Sequence, residues 1–191
     1  MSFCNILKDV GQTKTLAVEC IIGAFLDERG AKAEKKRKEA ESLWESIGIE
    51  IVKLAIEDAK KNAKKNHMEN TEFYAADAGK SMPQLYRKGL VPDVIVMDPV
   101  RAGCSEEVLK AAAGMNPKRV VYVSCNPATF ARDAKILKSE GYEIKEIQPV
   151  DMFPQTMHVE TVALLSRLNV DKHIDVEIKL DELDLTGGKQ G

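Results

Sequence analysis

Two solidly apolar runs, Val94-Ile95-Val96-Met97 and Val120-Val121-Tyr122-Val123, each stop abruptly at polar residues, Asp98-Pro99 in one case and Ser124-Cys125-Asn126-Pro127 in the other. A strand with one wet face alternates apolar and polar residues. A run without alternation is covered on both faces, as in a parallel sheet with helices above and below. The flanking sequence keeps the same rhythm. An apolar run at 47–52 leads into a helical stretch at 54–66, for which Leu54, Ile56 and Ala59 are expected on one face with lysines opposite. A strand over 71–76 and a short helix around 81–88 follow. Beyond Asp98 come a helix over 106–114, a strand over 119–124 and a helix over 128–141 closed by Gly141. Two extended segments, 142–150 and 159–165, end the series. Strands alternating with helices in this way predict a doubly wound α/β sheet, mostly parallel, with its ligand crevice at the carboxyl ends of the strands.

With 191 residues, 44% of them apolar, the chain has material for one good core and one compact domain. The pattern assigns residues 47–168 to that domain, 1–46 to a divergent N-terminal segment and 169–191 to a tail. The formal net charge of -2 supplies no global field for nucleic acid, so any such binding has to be argued from the site. The run Lys35-Lys36-Arg37-Lys38 fits a solvated helix face. The four cysteines, Cys4, Cys20, Cys104 and Cys125, form no CxxC pair and have no histidine cluster beside them, which argues against a metal centre. No apolar stretch reaches the length of a bilayer span, and the N-terminus lacks the order of a signal peptide. The expectation is a cytoplasmic protein with reduced thiols.

Polar residues at strand ends are the candidates for chemistry. Cys125 emerges from a buried strand where Asn126 and Pro127 turn the chain into a helix, whose N-terminal dipole favours the nucleophilic thiolate; the other reading is an inert core cysteine. Asp98, fixed by the following Pro99, stands in the crevice, unless it only caps its turn and pairs with Arg101. Glu50 ends the second strand of the pattern, where an acidic residue accepts both hydroxyls of a ribose, or it is simply exposed. Asp77 accepts from the amine of an adenine or caps a helix. Glu160, between Val159 and Val162, is a general-base candidate or a strand-edge carboxylate. His158-Val159-Glu160 matches half of a zinc deaminase signature, but the accompanying P-C-x-x-C is absent, so the zinc reading fails.

Taken in order, Asp98-Pro99-Val100-Arg101-Ala102-Gly103, Ser124-Cys125-Asn126-Pro127-Ala128-Thr129 with Ala131-Arg132-Asp133, and Pro149-Val150-Asp151-Met152-Phe153-Pro154 with His158-Val159-Glu160 closely resemble the RNA uracil-C5 methyltransferases. These enzymes make 5-methyluridine in ribosomal or transfer RNA, and the resemblance covers about residues 47–168. It implies a Rossmann-like S-adenosylmethionine-dependent methyltransferase domain acting on RNA, with ribosomal RNA the first choice of substrate. It also implies that Cys125 is the nucleophile that adds to C6 of uracil and Glu160 the base that removes the C5 proton. Glu50 would hold the cofactor ribose, Asp77 the adenine side, and Asp98 would line the meeting point of cofactor and base. The chain departs from the family at Val100, where a second proline is usual. It departs again before residue 47, where neither a first strand nor a glycine-rich loop is legible, so that first strand and loop are expected to be divergent or missing. Two further readings stay open: a catalytically silent remnant that binds RNA or a protein partner, and a cysteine-dependent thiol enzyme.

Overall fold

The computed structural model describes residues 13–18, 44–151, 154–156 and 159–168, the first strand and residues 44–45 by their backbone alone. The chain runs β1 (Thr13–Val18), β2 (Trp44–Glu50), α1 (Lys53–Lys65), β3 (Thr71–Ala75), α2 (Ala78–Arg87), β4 (Val94–Met97), α3 (Glu106–Gly114), β5 (Arg119–Ser124), α4 (Pro127–Ser139), β6 (Tyr142–Val150) and β7 (Glu160–Arg167). All seven strands join one sheet in the order β3-β2-β1-β4-β5-β7-β6. Its first five members are parallel, and β7 is inserted antiparallel to both β5 and β6. The order reverses between β1 and β4, the switch point at which a doubly wound sheet opens its crevice.

One expectation is corrected at the centre of this sheet. A first strand is present: Thr13–Val18 pairs with β2 on one side and β4 on the other. Its sequence, Thr-Lys-Thr-Leu-Ala-Val, is neither a solid apolar run nor a clean alternation, and its two parallel neighbours define it. The strand falls inside the segment set apart as 1–46. The glycine-loop question, the lysine-rich run at 35–38, Met152, Phe153, Met157, His158 and the tail 169–191 lie outside the described residues.

Successive residues of the inner strands face opposite sides of the sheet. Ile95, Met97, Val120, Tyr122, Ala163 and Leu165 face a single core with Met82 of α2, Leu109 and Ala112 of α3, and Phe130 and Leu137 of α4. Helix α2 packs on α3, and α3 on α4. Val94, Val96 and Val121, equally buried, point to the other face. Right-handed crossovers place α1 on that side, because β2 to β3 runs along the sheet in the direction opposite to β4 to β5. Burial on both faces is what the unbroken apolar runs required.

Helix α1 corrects the expected face. Ile56, Ala59 and Ala63 are buried, at the three- and four-residue spacing of one helical stripe, whereas Leu54 is 70% exposed. Two residues are about 200° apart around a helix, so Leu54 and Ile56 do not share a side. The remaining helices begin and end as their sequences direct. Asp77, Ser105 and Asn126 cap α2, α3 and α4. Gly141 takes φ +91° just past α4, the left-handed step that stops the helix.

Candidate active site

The sheet gathers the candidate residues along one edge. Glu50 is the last residue of β2, Asp77 follows β3, Asp98 follows β4 and Cys125 follows β5. Glu160 is the first residue of β7, and because β7 runs against its neighbours, its beginning lies where the parallel strands end. The β5–β7 ladder ends on the pair Ser124 and Thr161, so Cys125 and Glu160 are the chain neighbours of its last pair. Strands lie about 4.8 Å apart. Asp98 and Cys125 therefore follow neighbouring strands, while Glu50 ends a strand three places from β5, about 14 Å across the sheet and on the far side of β1. Cys125 and Glu160 are both half-buried, neither sealed into the core nor out on the open surface.

On the β2–β3 side the carboxylates engage only their own turns. Oε1 of Glu50 accepts from the N–H of Val52 at 2.8 Å, at the start of α1, which has no other side-chain cap. One of its two oxygens is thus committed to the backbone. Oδ1 of Asp77 accepts from the N–H of Lys80 at 3.0 Å as the cap of α2, and the Ser81 hydroxyl donates to the Asp77 carbonyl at 2.7 Å. The capping alternative for Asp77 is what the geometry shows; its part in adenine recognition is a separate matter.

The turn that carries Cys125 is knitted by its neighbours. The buried Ser124 hydroxyl accepts from the Asn126 N–H at 3.1 Å and donates to the Asn126 carbonyl at 2.9 Å. Oδ1 of Asn126 accepts from the Ala128 N–H at 3.1 Å, and Pro127 occupies the first turn of α4, where a missing N–H costs nothing. Cys125 is left between a fixed strand end and a capped helix. A thiol in that position faces the positive end of the helix dipole.

The described structure also assigns work to residues that the sequence quoted without a role. Asp133 is fully buried on α4. Its Oδ2 accepts from the N–H of Cys104 at 2.8 Å and from the Tyr122 hydroxyl at 2.5 Å, while Oδ1 takes the Arg132 guanidinium, Nε at 2.8 Å and Nη2 at 2.7 Å. That guanidinium reaches on, through Nη2, to the carbonyls of Ala102 at 2.9 Å and Cys104 at 3.1 Å. The Thr129 hydroxyl lies 3.3 Å from the Arg101 carbonyl and 2.9 Å from that of Asn126. Burial first, then Cys104 and the bond to Asp133, hold the Tyr122 phenol protonated far above its ordinary range, so it remains a donor. The loop after Asp98 closes in its own turn, with the Gly103 N–H on the Val100 carbonyl at 2.8 Å. Val100 is 75% exposed. Gly103 has φ +78°, and a Cβ there would lie 2.5 Å from Oδ2 of Asp133, so this close approach admits only glycine. A signal for Asp133 existed: it falls on the stripe of Phe130, Ala134 and Leu137, and a charge on an apolar stripe needs partners.

Among the described residues no group of three or more His, Cys, Asp or Glu is arranged to hold a metal ion, and no helix is long and apolar enough to cross a membrane.

Comparison with known proteins bears on the family and the fold. The profile of the family described as tRNA (uracil-5-)-methyltransferase matches residues 39–168. An uncharacterized RNA methyltransferase of Bacillus cereus is 55% identical over 121 residues, 63% of this chain and 26% of the relative. Another, from Halalkalibacterium halodurans, is 56% identical over 122 residues, 64% of this chain and 27% of the relative. The chain thus spans about a quarter of the length of the curated relatives it matches. Among solved structures, the Pyrococcus abyssi tRNA (uracil-54, C5)-methyltransferase in complex with S-adenosyl-L-homocysteine superposes with a TM-score of 0.62 at 32% identity, over 84% of this chain and 37% of that one. The N-methyltransferase NodS of Bradyrhizobium japonicum, at 16% identity and a TM-score of 0.61 over 86% of this chain and 93% of its own, shares the methyltransferase fold alone.

Proposed function

The chain belongs to the tRNA (uracil-5-)-methyltransferase family, and from that premise we propose that it methylates C5 of a uridine in RNA through a covalent adduct at Cys125. The observation that supports this reading is the end of the β5–β7 ladder, whose last pair is Ser124 and Thr161: Cys125 follows the one and Glu160 precedes the other. C5 of uracil is a weak nucleophile, and covalent attack divides a hard step into easier ones. The Cys125 thiolate adds to C6 of the base, and the electron pair displaced from the C5–C6 double bond makes C5 the attacking atom. S-adenosylmethionine, when bound, supplies the methyl group that C5 takes. Glu160 removes the proton from C5, the double bond re-forms, and the C6–S bond breaks to return the thiolate.

The remaining residues fit the binding of such a methyl donor. Glu50, with one oxygen anchored on Val52, offers the other to the ribose hydroxyls at the end of β2. Asp77 lies on the adenine side. Asp98, between the two halves of the edge, lines the place where the donor and the uracil meet. The target uridine, in a ribosomal or a transfer RNA, has to leave its stack to reach a half-buried thiol at a strand end.

The test uses the full chain, its Cys125→Ala variant and S-adenosylmethionine with ribosomal and transfer RNAs containing 5-fluorouridine. Fluorine does not leave as a proton does, so the adduct accumulates and survives denaturing electrophoresis. The wild type is expected to form it and Cys125→Ala to form none. A wild type that forms no adduct and binds no S-adenosylmethionine by calorimetry would mark the chain as a silent copy of the fold.

A further inference from the structure

The chemistry proposed above needs two loops from different strands to keep one separation: the loop after β4, which carries Asp98, and the turn after β5, which carries Cys125. Their backbones do not pair beyond Met97 and Tyr122. What joins them is a set of bonds from α4. Asp133 takes the Cys104 N–H, Arg132 holds the carbonyls of Ala102 and Cys104, and Thr129 reaches the Arg101 carbonyl. These contacts bridge 28 to 30 residues of sequence, and each anchors the first loop to the helix that starts at Pro127, two residues after the thiol. The bridge is fastened from below as well, because the buried Tyr122 hydroxyl, on the strand that ends at Ser124, donates to the same Asp133 oxygen as Cys104. Gly103 lets the loop come close enough, since any side chain there would collide with both Asp133 and Arg132. Asp133 carries no solvent exposure, so its charge is held entirely by these partners.

We propose that Arg132 and Asp133 are positioning residues that clamp the Asp98 loop to the Cys125 helix, so that donor site and thiol keep one fixed separation. Neither residue touches the reacting atoms. The catalytic consequence rests on the methyltransferase reading; the clamp itself does not. Displacement of about 1 Å between reacting groups is enough to cost 100-fold in rate, so a loosened clamp should show in the covalent step before it shows in cofactor affinity.

The test compares Arg132→Lys, which keeps the charge but not the planar fork, and Asp133→Asn with Leu137→Ala, a core truncation on the same helix away from the loop. Two readouts are taken on the full chain well below the melting transitions. The first is the rate of iodoacetamide alkylation at Cys104, which is 5% exposed, followed by peptide mass spectrometry. It is expected to rise more than tenfold in Arg132→Lys and to exceed the rise in Leu137→Ala, although Leu137→Ala melts lower. The second is the rate of adduct formation on 5-fluorouridine RNA, expected to fall more than tenfold in Arg132→Lys while the Kd for S-adenosylmethionine changes less than threefold. Should Asp133→Asn not fold, Arg132→Lys and Thr129→Val decide the matter. Cys104 protection within twofold of wild type in Arg132→Lys, or losses that simply follow melting temperature, would overturn the clamp. A wild type without adduct counts against the covalent reading, and the clamp is then judged on Cys104 alone.

Discussion

The two sides of the crevice are built differently. On the β2–β3 side, Glu50 and Asp77 bond to backbone groups two and three residues away, and β3 is an edge strand with Glu72, Tyr74 and Ala75 exposed. On the β4–β5–β7 side, β4 and β5 carry buried residues on both faces, and Asp133 collects donors from two other elements. Local bonds set the angle of a single side chain, whereas a bond across 29 residues fixes a loop against a helix. The first arrangement suits holding a ligand that arrives and leaves. The second suits a reaction whose partners must not drift.

The sharpest break in that contrast is chemical. Cys125→Ala is expected to abolish adduct formation, at least a thousandfold below wild type, with the melting temperature moved by no more than about 2 °C, since a half-buried thiol contributes little packing; thermal denaturation and denaturing gels read both. Asp133→Ala comes next, because it strands the Cys104 N–H, the Tyr122 hydroxyl and part of the Arg132 charge. About 3–5 kcal/mol of stability should be lost in urea titrations. Asp77→Ala, which removes one helix cap, should cost only about 1 kcal/mol. Equal losses from the two would erase the distinction between the sides. Glu50→Gln should leave stability almost unchanged yet weaken S-adenosylmethionine binding about tenfold, corresponding to one hydrogen bond to a charged group, measured by calorimetry. A last effect is alkaline. Burial lifts the Tyr142 phenol, which donates to the Pro117 carbonyl at 2.8 Å, to about 12. A phenol raised above its ordinary 10.0 contributes stability that is complete below pH 10 and is lost as pH climbs toward 12. Tyr142→Phe should start less stable and show a shallower decline over that window.

Legibility in the sequence followed the same divide. β4 and β5 announced themselves because burial on both faces leaves an unbroken apolar run, and Asp98 and Cys125 were visible as the polar residues that end those runs. β1 was missed because Thr13–Val18 contains no such run and is specified by neighbours at both sides. Leu54 is misleading because closeness in sequence is not closeness on a helix face. Arg132 and Asp133 were quoted as part of a motif, yet their partners, Ala102 and Cys104, are remote in the chain and only the packing of α4 brings them into reach. Glu160 depended on strand direction: a parallel β7 would have carried it to the opposite end of the sheet, and no local pattern specifies that reversal.

That reversed strand has a consequence for how the protein fails. β7 fills the gap between β5 and β6 and also delivers Glu160. If Glu160 acts as proposed, the segment that releases the product is also one that closes the sheet. Ala163 and Leu165 of that strand lie fully buried in the same core as Tyr122 and Leu137, so whatever loosens β7 is expected to loosen one wall of the crevice with it.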